Sequence, residues 1–284
     1  MNILFLGGDK RHKYASDYIK VRGLSSNAIL QPILNEENIS YIKSADVIIL
    51  PLPVTKNGTD LNVSDSTPCN VRILDLLDCV SSDTLIIGGA FTEQICSFMA
   101  QRKQSYVDYY KDDWFQVQNA LLSAEGAIYY AKEKFDGSIH GSSIAILGFG
   151  KIGKILAFLL STQGAKITVY ARKDNDCSWS KLMGFEAVKI KNSFLDVNKR
   201  FTDDGYDIIM NTVPDRIINR EFIEVLNKLT ILIDLASHPY CVDESLVSEY
   251  GIKYYREPGI PGRYAPKAAG EILGNTIINI INGE

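Results

Sequence analysis

No segment constrains the fold of this chain more than Ser143-Ile144-Ala145-Ile146-Leu147-Gly148-Phe149-Gly150-Lys151-Ile152-Gly153. An apolar strand runs into a G-x-G-x-x-G turn. A helical pattern follows, with Ile152, Ile155, Leu156, Leu159 and Leu160 on one face and Gly164 as its stop. A second strand, Lys166-Ile167-Thr168-Val169-Tyr170, comes next. A glycine triplet alone says little, but inside a βαβ unit it is the fingerprint of a dinucleotide-binding turn. Each glycine has its own task there. Gly148 permits the tight turn, Gly150 lets the backbone approach a pyrophosphate, and Gly153 lets helix and strand pack closely. Phe149, Lys151 and Ile152 complete the candidate cofactor-binding turn. Its helix N-terminus offers N–H groups and the positive end of the dipole to phosphates.

The second strand should deliver the residues that meet the adenosine ribose, where an acid would hold both hydroxyls of NAD. Tyr170 is instead followed by Ala171, Arg172 and Lys173, with no carboxylate before Asp174. A guanidinium suits a 2′-phosphate, so Arg172 and Lys173 point to NADP; the competing reading is a solvated basic turn.

The alternation of strand and helix extends through all 284 residues. Strands are predicted at 2–6, 28–33, 46–51, 84–88 and 105–109, then at 143–147, 166–170, 185–189, 206–210, 230–235 and 252–255. Runs such as Val47-Ile48-Ile49-Leu50 and Ile231-Leu232-Ile233 are apolar throughout, which suits parallel sheets covered on both faces. The pattern predicts a two-domain α/β chain, a flavodoxin-like N-terminal domain followed by a Rossmann NAD(P)-binding domain. The first domain is expected at 1–113, completed by a C-terminal helix at 267–284. A long helix at 114–135 joins it to the Rossmann domain at 136–266. At 46% hydrophobic and 23% charged residues, the composition excludes disorder. A net charge of −4 and the lack of a long apolar run argue against nucleic acid and membrane as partners. The start, Met1 to Gly8, reads as a first strand and not a signal peptide. Five cysteines without a Cys-x-x-Cys pair, and three histidines without ligand spacing, predict reduced thiols and no metal.

Several further segments carry a resemblance. These are Leu6-Gly7-Gly8-Asp9-x-Arg11, Ile48-Ile49-Leu50-Pro51, Ser123-Ala124-Glu125-Gly126 and Ile139-His140-Gly141-Ser142. Later come Asn211-Thr212-Val213-Pro214, Ile233-Asp234-Leu235-Ala236-Ser237, Pro258-Gly259-Ile260-Pro261-Gly262 and Ala265-Pro266-Lys267-x-Ala269-Gly270. In this order they resemble the A subunits of dipicolinate synthases of spore-forming bacteria. The resemblance spans nearly the whole chain, with Tyr170 and Arg263 departing from the family's glycine and apolar residue. It implies a cytoplasmic oxidoreductase of the mother cell that makes dipicolinate from a dihydrodipicolinate-pathway intermediate, with NADP as oxidant. It also implies a separate partner, a flavoprotein-like B subunit. A homo-oligomer is expected as well.

A small dicarboxylate substrate needs cations. Arg11 follows a Gly-Gly turn at the carboxyl end of the first strand, where open α/β sheets bind ligands. It is a candidate both for substrate binding and for catalysis, with Asp9 beside it; Asp9 reads equally as a helix cap. Lys267 is the first choice for a carboxylate-binding or proton-transferring cation, and Arg263 shares its Pro- and Gly-rich segment, 258–266. That segment reads as a loop closing over a ligand or as a rigid turn. Glu125, with Ser123 nearby, is placed to orient a substrate nitrogen or a lysine, or to form a helix ion pair. Thr212, Val213 and Pro214 are expected to line the cofactor. Ser237 is assigned to substrate and His238 to proton transfer, against which the resemblance ends at Ser237 and favours an exposed loop residue at 238.

The plan is similar to that of formate and hydroxyacid dehydrogenases, with nicotinamide and substrate meeting between the domains. Two rival functions stand beside it. One is another NAD(P)-dependent dehydrogenase of hydroxy or amino acids. The other is a non-catalytic NADP-binding subunit that scaffolds its partner.

Overall fold

The computed structural model describes residues 1–64, 71–190, 201, 205–237 and 239–283. These form two units, one of residues 1–119 with 261–284 and one of residues 120–260.

The first unit holds a parallel sheet of β1 (Asn2–Leu6), β2 (Ser25–Ile29), β3 (Val47–Ile49), β4 (Leu85–Gly88) and β5 (Tyr106–Asp108), in the order β2-β1-β3-β4-β5. That is the flavodoxin-like order, whose direction of winding switches between β1 and β3. Successive side chains of a strand point to opposite faces, and here both faces are buried. Ile3, Phe5, Val47, Ile49 and Ile87 pack on one side with Ala15 and Ile19 of α1 (Lys10–Val21) and Leu273 and Ile277 of α11 (Pro266–Asn282). Leu4, Leu6, Ile48, Leu50 and Ile86 pack on the other. They meet α2 (Glu36–Lys43), α3 (Ile73–Asp78) and α4 (Glu93–Gln101). Burial on both sides explains why these strands are continuously apolar. Helices α1 and α11 run close together because Gly270 and Gly274 face α1. A Cβ at Gly270 would lie 2.5 Å from Tyr14 Cβ and 2.7 Å from the Arg11 carbonyl oxygen.

The second unit holds β6 (Ser143–Leu147), β7 (Lys166–Ala171), β8 (Glu186–Lys189), β9 (Ile208–Asn211), β10 (Ile231–Asp234) and β11 (Lys253–Arg256). Their order is β11-β10-β9-β6-β7-β8, all parallel. Read from β6, this is the doubly wound order of dinucleotide-binding sheets, with its switch between β6 and β9. Helices α6 (Lys151–Thr162), α7 (Asp174–Leu182), α8 (Arg220–Val225) and α9 (Glu244–Tyr250) connect the strands. The long helix α5 spans Asp113–Lys134.

Two expectations need correction. The second strand lies at Ser25–Ile29 and not at 28–33. The apolar run Ala28-Ile29-Leu30 misleads because β2 is an edge strand with one flank open, which tolerates Ser25 and Asn27, while Pro32 has no N–H for a ladder. The segment 258–266 is not an open loop. It contains α10 (Ile260–Tyr264) and leads into α11, with Pro266 at the first position of that helix. Pro261 and Pro266 each sit in a first helical turn, where the missing N–H costs nothing.

Candidate functional site

The switch point of the second sheet brings the glycine turn after β6 beside the loop after β9. Gly148 has φ +95, a left-handed conformation that favours glycine, and a Cβ there would lie 2.6 Å from Thr212 Oγ1 and 2.8 Å from Val213 Cγ2. A Cβ on Gly153 would overlap the carbonyl oxygen of Gly148. Both glycines are thus required by the fold itself. Gly150 is different. Its φ of −75 is open to any residue, and nothing lies within 4 Å of the place its Cβ would take. Gly150 is the N-cap of α6, a place glycine suits, and with no side chain there the backbone at the start of the helix is open to a pyrophosphate laid along it. The residues present therefore fit a nicotinamide dinucleotide.

The loop Thr212–Pro214 is fixed on two sides. Thr212 donates to the Leu147 carbonyl oxygen through both its N–H and its hydroxyl, each at 2.9 Å. Behind it stands a buried pair that the sequence reading missed. Asn211, at the end of β9, accepts from the Val213 N–H at 3.0 Å. It donates through Nδ2 to the Val213 carbonyl at 2.9 Å and to Asp234 Oδ1 at 2.7 Å. Asp234, at the end of β10, is fully buried and opposite Asn211 in register. It also accepts from the N–H groups of Cys241 (2.7 Å) and Ala236 (3.2 Å) and from the Tyr254 hydroxyl (3.1 Å). Burial, reinforced by the Asp234 carboxyl, pushes the Cys241 thiol and the Tyr254 hydroxyl upward, so both keep their protons at neutral pH. The signal was in the sequence, since Asn211 and Asp234 each end an apolar run, but their pairing depends on strand order.

At the tip of β7, Arg172 and Lys173 are exposed, and among the described residues neither takes an ion-pair partner. Asp174 is paired with Lys189 at 2.7 Å. Tyr170 lies in the core with its hydroxyl 2.9 Å from that of Tyr206.

The switch point of the first sheet carries the other cluster. Gly7 and Gly8, at φ +71 and +79, turn the chain after β1 into α1. Asp9 caps that helix by accepting from the Arg11 N–H at 2.9 Å. The same carboxylate takes Arg11 Nε, at 2.9 and 3.1 Å. Burial alone would raise the Asp9 carboxyl, but the bonds and charge of Arg11 outweigh it and hold the carboxyl low. The guanidinium is thus gripped by its Nε edge. No described residue accepts from its terminal amino groups, the fork that suits a carboxylate. The backbone at Gly262 closes on this pair, since a Cβ there would lie 2.7 Å from Asp9 Oδ2 and 3.0 Å from Arg11 Nε. Beneath Arg11 is a cavity of about 10 Å³, room for roughly one water, lined by His12, Leu52, Tyr109, Phe115, Asn119 and Leu273 among others. His12 is buried with Nδ1 3.0 Å from the Gly7 carbonyl oxygen. Burial, with the Arg11 charge adding, lowers its pKa to about 4, so the ring is neutral at neutral pH.

The remaining candidates scatter. Lys267 is exposed in the first turn of α11, 4.0 Å from Glu271. Arg263 is exposed on α10. Ser123 is buried and Glu125 exposed on α5, and Ser237 is exposed beyond β10. His238 lies outside the described residues. No helix among the described residues is long and apolar enough to cross a membrane.

Comparison with known proteins agrees with this layout. Residues 2–110 match the family model of the N-terminal domain of the dipicolinate synthase A subunit. Residues 115–250 match that of the NAD-binding domain of D-isomer specific 2-hydroxyacid dehydrogenases. The chain is 30% identical over 239 residues to the dipicolinate synthase A subunit of Bacillus subtilis, covering 83% of this chain and 77% of that protein. The crystal structure of the dipicolinate synthase A chain from Bacillus subtilis is similar, with TM-score 0.82 and 27% identity over 100% of this chain and 96% of that one. So is that of the A subunit from Bacillus halodurans, with TM-score 0.83 and 24% identity over 99% and 97%. With a dehydrogenase-type domain that binds a nicotinamide dinucleotide, this chain is an oxidoreductase and belongs to the family of dipicolinate synthase A subunits.

Proposed function

We propose that this chain oxidises a dihydrodipicolinate-pathway intermediate to dipicolinate with NADP, as the A subunit of a two-subunit synthase in the cytoplasm of a sporulating mother cell. The observation that carries the chemistry is Gly150, a glycine in ordinary backbone with open space where its Cβ would be, at the start of α6. NADP, when bound, supplies the hydride acceptor. The chain's own residues bind, orient and balance charge. Gly148, Phe149, Gly150, Lys151, Ile152 and Gly153 hold the pyrophosphate, Arg172 and Lys173 the 2′-phosphate, and Thr212, Val213 and Pro214 line the nicotinamide side. Arg11, steadied by Asp9, takes a substrate carboxylate, with Lys267 and Arg263 as further cations. Ser123 and Ser237 serve substrate, and Glu125 and His238 serve proton transfer.

Oxidising a dihydropyridine dicarboxylate removes a hydride and a proton and leaves an aromatic ring, so the step needs little acid–base help. A hydroxylated precursor would lose water as well and would need one general acid. The test supplies purified chain, NADP and the pathway intermediate, with and without a flavoprotein-like B subunit. The expected result is the absorbance of a pyridine dicarboxylate rising with NADPH. NADPH formed from lactate-like substrates alone would overturn the reading, as would dipicolinate formed at the same rate without NADP.

A further inference from the structure

The buried Asp234–Asn211 pair is placed to do more than satisfy polar atoms at two strand ends. We propose that Asp234 is a positioning residue for the dinucleotide, acting through Asn211 on the loop Thr212–Pro214. The inference rests on the reading of the glycine turn as a dinucleotide site and names residues that the reading does not use.

The argument is one of donor and acceptor order. An asparagine amide has a donor end and an acceptor end and can turn over. A carboxylate that already accepts the Cys241 N–H (2.7 Å) and the Tyr254 hydroxyl (3.1 Å) on one oxygen offers its other oxygen to Asn211 as an acceptor. Asn211 must then present Nδ2, at 2.7 Å. With Nδ2 so placed, Oδ1 is left for the Val213 N–H (3.0 Å), and Nδ2 also reaches the Val213 carbonyl (2.9 Å). Both polar groups of the Val213 backbone are thus held by one side chain whose orientation Asp234 dictates. Val213 and Thr212 form the wall against Gly148, with Cγ2 and Oγ1 less than 3 Å from where a Cβ would stand. The glycine turn can approach a pyrophosphate only while that wall stands where it does. Asp234 and Asn211 are both fully buried, so water cannot replace a missing partner.

The test uses the full chain, with NADPH and NADH as probes, followed by fluorescence titration and by thermal melting. Asp234→Asn leaves a donor facing a donor, either at Cys241 or at Asn211. The folded variant is expected to bind the preferred dinucleotide about tenfold more weakly. Asn211→Ser keeps the other three donors to Asp234 but cuts the link to Val213; it gives the same loss and serves where Asp234→Asn does not fold. The exchange Asn211→Asp with Asp234→Asn restores the bond between the two side chains and the acceptor for the Val213 N–H. It leaves the Val213 carbonyl without the Nδ2 donor, so it should recover part of the affinity that Asp234→Asn loses, a gain that a merely structural role does not predict. Folded Asp234→Asn and Asn211→Ser proteins with wild-type affinity and only a lower melting temperature would overturn the proposal while leaving the glycine-turn reading intact. A wild-type chain that binds neither probe would overturn both.

Discussion

Single residues divide here between those the fold demands and those a ligand demands. Gly153→Ala would force a methyl into the Gly148 carbonyl oxygen, an overpacking that should cost roughly 1–3 kcal/mol, read as a lower urea midpoint. Gly150→Ala meets no neighbour. It should leave stability within about 1 kcal/mol of wild type and weaken dinucleotide binding at least about tenfold; full binding by a stable Gly150→Ala protein would show that nothing approaches the backbone there. His12 gives a pH signature. Its folded pKa of about 4 lies below the unfolded 6.5, so the unfolded chain takes up the proton first. Its contribution is complete above pH 6.5 and lost as pH falls toward about 4, up to about 3 kcal/mol. His12→Asn, which keeps a donor for the Gly7 carbonyl, should remove that part of the acid sensitivity, measured as urea midpoints from neutral to acid pH. An unchanged slope would show that other groups carry it.

Among elements, α1 and α11 show how a helix seam is read from glycines. Inside an exposed helix, Gly→Ala gains roughly 0.5–1 kcal/mol because glycine is the floppier residue. At Gly270 the added methyl would lie 2.5 Å from Tyr14 Cβ and 2.7 Å from the Arg11 carbonyl oxygen, and backbone cannot step aside cheaply. The clash should win. Gly270→Ala is expected to destabilise by roughly 1–3 kcal/mol. Because Arg11 lies on the same turn of α1, the variant should also disturb the Asp9–Arg11 pair. A thermal melt raised above wild type would show that the two helices can part without cost. The short α10 belongs to the same seam, since Gly262 is pressed against the same ion pair.

At the scale of the whole molecule, each unit presents one equipped switch point, and the proposed tasks separate between them. Arg11→Ala and Lys267→Ala should raise the KM for a dicarboxylate substrate about ten- to hundredfold, the worth of roughly 1.5–3 kcal/mol in lost charge-assisted bonds, and leave the dinucleotide Kd unchanged. Lys267 should sit at the lower end, being exposed and beside Glu271. Arg172→Ala should do the reverse. It should weaken NADP about tenfold while sparing NAD, with the preference narrowing as salt rises because Arg172 is exposed. Equal losses for both dinucleotides would show that Arg172 does not read the phosphate. Wild-type kinetics in the folded Arg11 and Lys267 variants would make these surface cations.

The sequence by itself determined the parts whose physics is local. Apolar runs with both faces buried marked the central strands, and the glycine turn declared itself through its own spacing within one βαβ unit. The i, i+4 stripe of 267–282 gave α11, which spans Pro266–Asn282. The edge strand was misplaced because half of it faces solvent, so the hydrophobic signal that locates Val47–Ile49 is absent from Ser25–Ile29. Pro261 and Pro266 suggested a loop where they open helices, since a proline in a first turn looks like one in a turn until the following hydrogen bonds are known. Tertiary structure alone decided the pairings across distance. Asn211 meets Asp234 only because β9 and β10 lie side by side in a given register. Gly262 meets Arg11, some 250 positions away, only because α10 and α11 return to the first sheet. Strand order and helix return are set by the summed burial of many side chains. No single residue carries that sum, which is why the glycine turn was legible and the buried pair behind it was not.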